Sequence, residues 1–182
     1  MAKLKVAKIV LFILLVVAVA NAFLERSYPV SEMQFGVTFS PVYAKYLKLD
    51  WQKTYISILD DLKVRNLRVP GYWDILEPKP GMLNFQDLDY MINEAVKRQT
   101  KIILVVGEKQ PRWPECYVPD WAKPLNTKDR QQKILEFVGK VVDRYKDSSA
   151  IWAWQVENEP LLSFGENCDA TSENFLKQEV AL

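Results

Sequence analysis

The sequence predicts an α/β protein of (β/α)8 TIM-barrel type. About the first four βα units are present, preceded by an N-terminal signal or anchor segment. Three observations carry this. Strand-like and helix-like runs alternate four times, with strands beginning near residues 34, 66, 101 and 150, at spacings of 32, 35 and 49 that suit βα units. Lys101 to Val106 (KIILVV) is a continuous apolar run, the mark of a strand buried on both faces of a parallel sheet. No glycine-rich phosphate turn follows the first strand, so a doubly wound nucleotide-binding sheet is disfavoured. A closed barrel takes about 250 residues, and this chain supplies roughly half.

The chain opens with Lys3, Lys5 and Lys8, an apolar run from Ile9 to Ala20, and then Ala20-Asn21-Ala22. That order is the n-region, h-region and small-x-small site of an export signal, with cleavage expected before Phe23. Twelve apolar residues at about 1.5 Å each reach about 18 Å, short of a hydrocarbon core of about 30 Å. An uncleaved anchor over residues 9–24 stays open as the alternative, since Phe23 and Leu24 are again apolar. Either reading places the rest outside the cytoplasm, with 23–33 as linker and 34–182 as the barrel segment.

Gln34 to Phe39 is the first expected strand. Asp50 is a good N-cap for a helix from about Trp51 to Val64, with Ile56, Leu59 and Leu62 beside Tyr55 as its buried stripe. Asn66 to Val69 is the second strand, stopped by Pro70-Gly71. Gln86 to Gln99 is the second helix, with Leu88, Met91, Ile92 and Ala95 on one face. After the Lys101–Val106 strand, a Pro- and Trp-rich loop runs from Gly107 to Asn126. Thr127 caps a third helix to Tyr145, striped by Ile134, Phe137, Val138 and Val141. Ala150 to Val156 is the fourth strand, and a further helix begins near Ser172.

Removing 22 residues and three lysines leaves 160 residues at a formal charge of −2, which argues against a nucleic-acid partner. There is no histidine, which excludes a Ser-His-Asp or Cys-His mechanism built from this chain alone and disfavours a metal site. No cofactor is implied. Cys116 and Cys168 suggest one disulfide in an oxidising compartment. Six Trp and eight Tyr are many for this length. They serve either core packing or stacking on sugar rings, and several of the Trp fall in expected loops.

Barrel active sites form at the C-terminal ends of the strands, and unusual residues collect there. After the second strand come Arg68-Val69-Pro70-Gly71-Tyr72-Trp73 and Glu77-Pro78-Lys79-Pro80-Gly81. After the third come Gly107-Glu108-Lys109-Gln110-Pro111-Arg112-Trp113-Pro114-Glu115-Cys116. After the fourth come Glu157-Asn158-Glu159-Pro160.

A fourth strand reading WxWxxxNEP, from Trp152 to Pro160, resembles the retaining glycoside hydrolases of clan A, nearest to family 5 cellulase-like and family 42 galactosidase-like enzymes. The stretch LRVPGYWDILEPKPGMLNFQDLD is similar to their second-strand region. The resemblance covers about residues 34 to 160. It implies hydrolysis of O-glycosidic bonds in a poly- or oligosaccharide by double displacement, which needs two carboxyls about 5–5.5 Å apart. By resemblance Glu159 is the acid/base, Asn158 binds the sugar 2-hydroxyl, and Arg68 sits beneath the site to keep the nucleophile ionised. Glu157 stays a minor candidate, because a regular strand would point it the same way as Glu159. Trp73, Trp113 and Trp121 are either sugar platforms or loop packing. Glu77 reads as a turn residue, and Glu108 and Lys109 as polar lining at best.

In the clan the nucleophile ends strand seven, and no such strand follows residue 161. The expectation is a fragment of a longer protein, without turnover by itself. The rival expectation is a non-catalytic carbohydrate-binding or interaction protein on a partial barrel scaffold. Fold alone does not separate the two.

Overall fold

A computed structural model describes residues 2–27, 34–166 and 168–182. The chain divides into two compact units, Met1–Gln34 and Phe35–Leu182. In the first, α1 (Ala2–Ser27) is a single helix, as expected of an Ile/Leu/Val/Ala run without glycine or proline. Residues 8–22 of it are exposed. Among the described residues no helix is long and apolar enough to cross a membrane. The expected cleavage point after Ala22 falls inside α1, and residues 28–33 of the expected linker lie outside the described residues.

The second unit holds β1 (Val37–Thr38), α2 (Pro41–Tyr46), α3 (Trp51–Asp60), β2 (Asn66–Pro70), α4 (Trp73–Leu76) and α5 (Gln86–Lys97). β3 (Lys101–Val106), α6 (Thr127–Tyr145), β4 (Ile151–Val156) and α7 (Glu173–Val180) complete it. The four strands are parallel and lie in the order β1-β2-β3-β4. Every crossover therefore steps the same way. A doubly wound sheet reverses direction at a switch point, and this sheet does not, which favours the barrel succession over the open alternative.

One face of the sheet carries Leu67, Val69, Ile102, Leu104 and Val106, buried in one core with Tyr55, Leu59, Leu88, Met91, Ile92, Phe137, Val138 and Val141 of the helices. The residues between them in register (Thr38, Arg68, Ile103, Ala153, Gln155) occupy the opposite face, where burial is lower. The expectation that KIILVV is buried on both faces is met at Val105, whereas Ile103 stays partly open. The helix stripes on α5 and α6 are buried as expected, with Tyr145 added to the second. Ion pairs tie the helices outside the core: Arg144 to Asp89 joins α6 to α5, and Arg98 to Asp60 joins α5 to α3.

Several boundaries differ from the sequence reading. The first strand contracts from 34–39 to two residues, because only Val37 and Thr38 find partners on β2. α3 ends at Asp60, which leaves Leu62 outside the helix and 69% exposed; its stripe is Trp51, Tyr55 and Leu59. The cap of α6 is Asn126, whose Oδ1 accepts from Asp129 N at 3.0 Å, and not Thr127. Asp50 caps α3 as expected, accepting from Lys53 N. The short helices α2 and α4 carry too few residues for a periodic signal and were not expected.

Candidate active site

Thr38, at the end of β1, is the cross-strand partner of Arg68 in β2. Arg68 Nε donates to Thr38 Oγ1 at 2.9 Å, and its Nη1 donates to Gln155 Oε1 on β4 at 3.3 Å. Gln155 Nε2 donates in turn to Asn158 Oδ1 at 3.3 Å and to Glu157 O at 3.1 Å. Asn158 Nδ2 then donates to Glu115 Oε2 in the loop after β3, at 3.2 Å. One polar chain thus crosses the C-terminal ends of all four strands. A cleft of about 460 Å³ opens beside it, lined by Thr38, Arg68, Pro111, Arg112, Asn158 and Glu159. Among the described residues Glu159 is the only acid lining that cleft.

The backbone after β4 separates Glu159 from Glu157. A continued strand would aim both the same way, but β4 stops at Val156. Glu157 and Glu159 then take left-handed conformations, φ 58° and φ 49°. Such angles are uncommon outside glycine and cost free energy that the surroundings must supply. Among the described residues seven non-glycine positions have positive φ. Lys48, Lys63 and Gln99 follow α2, α3 and α5, where a left-handed residue is an ordinary helix ending. The other four (Arg112, Glu115, Glu157, Glu159) lie in the loops after β3 and β4.

The two turns send Glu157 inward, where it is 2% exposed, and leave Glu159 in the open cleft. Glu157 Oε1 accepts from Glu108 N at 2.9 Å, and Oε2 accepts from Lys109 N. Asn158 N returns a bond to Lys109 O at 2.8 Å. The exits of β3 and β4 are therefore laced together through Glu157. Gly107 makes room for this: its φ is 107°, and a Cβ there would overlap the Glu157 carboxylate. Burial, together with the nearby charges of Glu179 and Glu108, pushes the Glu157 carboxyl well above the usual range. Burial likewise lifts Glu179 of α7 to about 7. Glu108, whose charge acts on both, is itself raised by burial against the pull of Arg130, whose Nε lies 3.5 Å from its Oε2.

The remaining candidates separate by place. Trp73 is fully buried, stacked near Phe137 and edge-on to Trp121, with Nε1 donating to Glu77 Oε2 at 3.0 Å. Trp121 donates to Glu77 O at 2.9 Å. Both pack beneath the loops, the loop-packing side of the two alternatives that the sequence leaves open, and neither lines the Glu159 cleft. Glu77 is a buried turn residue that also accepts from Gly81 N. Trp113 is 58% exposed beside Phe164 and does not line the Glu159 cleft. Lys109, expected as lining, is buried with Nζ donating to Leu162 O. Cys116 and Cys168 are disulfide-bonded, with Cα atoms 5.5 Å apart.

Thr38, Arg112, Gln155 and Glu115 were not singled out from the sequence. Gln155 had a usable signal, being the one polar residue in an otherwise apolar strand. Arg112 lies over the Tyr43 ring at 4.9 Å, a contact between the loop after β3 and α2 that no local pattern announces.

Comparison with known proteins shows the family. Residues 70–179, more than half of the chain, match the model of glycosyl hydrolase family 10. The chain belongs to glycosyl hydrolase family 10. Among its relatives, the β-galactosidase LacZ of Lactobacillus acidophilus is 27% identical over 113 residues, covering 53% of this chain and 16% of that protein. The endo-1,4-β-xylanase 2 of Claviceps purpurea is 31% identical over 88 residues, covering 48% of this chain and 25% of that protein. The family 10 chain thus spans a quarter or less of either relative. The crystal structure of a GH5_18 protein from Bifidobacterium longum subsp. infantis superposes with a TM-score of 0.61 at 17% identity, over 82% of this chain and 39% of that one. The fold is a partial (β/α) barrel. The clan indicated by the motifs holds, while the family whose model matches is 10, and neither of the two that the motifs most resembled.

Proposed function

We propose that this family 10 segment supplies the acid/base half of a glycosidase site that cleaves β-linked oligo- or polysaccharides with retention of configuration. The observation that carries it is the position of Glu159: a lone carboxyl in the cleft at the C-terminal ends of the strands, set there by two left-handed residues and flanked by Asn158 and Arg68. The β-linkage is taken from the names of the galactosidase and xylanase relatives. Glu159 gives its proton to the leaving oxygen, then takes one from water in the second displacement. Asn158 presents an amide to the sugar beside the scissile bond. Arg68 faces the cleft with its charge divided between Thr38 and Gln155, placed to hold an incoming carboxylate ionised. That carboxylate, the nucleophile, is assigned to a strand beyond the four described here.

The test is hydrolysis of a β-1,4-linked oligosaccharide by the protein with its barrel complete. Glu159→Gln is expected to lower kcat about a hundredfold or more, the usual share of general acid catalysis. Unchanged turnover in that variant would reject the assignment, and inversion at the anomeric carbon by proton NMR would reject the double displacement.

The basic residues and apolar run of α1 support an exported protein, and the family match supports carbohydrate as its partner. Amino-terminal sequencing of the secreted product separates cleavage before Phe23 from retention of the helix as an anchor.

A further inference from the structure

We propose that Glu115 is a positioning residue of the glycan site, fixing which way the Asn158 amide faces. This rests on the reading of the cleft as a glycosidase site. An asparagine amide has two orientations related by a half-turn, exchanging its donor and acceptor ends. Asn158 is held between unlike partners: its Nδ2 donates to Glu115 Oε2, and its Oδ1 accepts from Gln155 Nε2. A carboxylate only accepts, so Nδ2 and not Oδ1 must face Glu115. The second N–H of the same Nδ2 has no partner among the described residues, and Asn158 lines the cleft with Arg68, Arg112 and Glu159, so we assign that N–H to a sugar hydroxyl.

Glu115 is itself held with unusual care. It is 7% exposed and left-handed, φ 73°, in a loop folded back on itself. Gln110 N donates to Glu115 O at 2.7 Å, Tyr117 N to Glu108 O, and Glu115 N to Arg112 O. The segment after β4 then closes against it. Glu166 N donates to Pro114 O at 3.0 Å, and Cys168 is bonded to Cys116. Gly165, φ 107°, approaches so closely that a Cβ would meet Glu115 Cβ and Pro114 O at 2.6 Å. Three separate contacts therefore fix the loop around Glu115, whose carboxylate has the asparagine next to Glu159 as its side-chain partner. A residue serving the loop alone would not need to meet Asn158.

The experiment uses the unsubstituted 182-residue chain, labelled with nitrogen-15. Hydrogen exchange of the Asn158 side-chain amide is expected to run about tenfold or more slower than that of the exposed Asn84 and Asn174. In Glu115→Ala that protection is lost while backbone signals away from the cleft stay in place. Glu115→Gln, which keeps an acceptor oxygen at the same length, restores most of it. Equal exchange at Asn158, Asn84 and Asn174 in the unsubstituted chain would overturn the proposal, whether or not the variants fold. So would full protection in a folded Glu115→Ala. Xylotetraose is then added as the glycan probe, and Glu115→Ala should bind it about tenfold more weakly, as for the loss of one charge-assisted bond. The exchange comparison alone decides the role of Glu115; no movement of Asn158 or Glu159 signals with xylotetraose would count against the glycan reading instead.

Discussion

At the scale of single residues, the site divides its carboxyls by burial. Glu159 is left to solvent, whereas Glu157 and Glu179 are withdrawn and face each other between β4 and α7, each about 2% exposed. Their placement has a consequence for stability. Glu179 has a folded value of about 7, above the ordinary 4.5. Between those values the folded chain keeps a proton that the unfolded chain releases, so this stabilisation is full below about pH 4.5 and is lost as pH rises through 7. At about 1.36 kcal/mol per unit the span is worth on the order of 3 kcal/mol at most. Asp60, held low by its hydrogen bond to Arg98, acts in the opposite sense, but only in stronger acid. The unfolding temperature should therefore fall by several degrees between pH 5 and pH 8, and Glu179→Gln should flatten that slope. An unfolding temperature that rises over the same interval would show that the pair is not buried as described. The pairing was illegible in the sequence, since Glu179 lies 22 positions from Glu157 in a short helix of ordinary composition.

At the scale of elements, strength of pattern decided what could be read. β3 and α6 run over the expected residues because each is long, strongly periodic and bounded by turn residues. β1 was overdrawn, since its apolar run says nothing about how many residues find partners. The loop after β3 was read as part of the candidate site from its composition, yet its path depends on the disulfide, Gly165 and the left-handed residues, which are tertiary facts. Trp73 and Trp121 show the same limit: loop aromatics fold under the loop or over the cleft according to contacts far away in sequence. The lacing of β3 to β4 belongs to this scale and is open to test at Gly107. Gly107→Ala sets a Cβ against the Glu157 carboxylate at a φ that side chains rarely adopt, and should cost about 3 kcal/mol or more. Gly139→Ala in α6, with open space around it, should be neutral or gain about 0.5–1 kcal/mol. Urea unfolding midpoints compare the two. A mild effect at Gly107 would mean that the loops are not bound through Glu157.

At the scale of the molecule, the sheet is a run of four parallel strands whose outer members, β1 and β4, each lack a second neighbour among the described residues. Trp152 on β4 is 62% exposed, with Lys101 near its ring. Unpaired edges of this kind recruit further strands. In sedimentation velocity the 182-residue chain should grow heavier with concentration, and Trp152→Lys should weaken that association; an unaffected variant would assign it elsewhere. The succession of strands was legible from four βα repeats, and the place of the candidate site from where the unusual loops fell. What rests on both is the claim that Glu159 delivers a proton to the leaving group. The most direct measurement compares leaving groups in the protein with its barrel complete. Departure of a strongly acidic phenol needs little protonation, whereas departure of a sugar alcohol depends on it. Glu159→Gln should cut hydrolysis of a disaccharide about a hundredfold or more while sparing glycosyl transfer from a dinitrophenyl glycoside. Equal losses on both substrates, or no loss on either, would contradict the account.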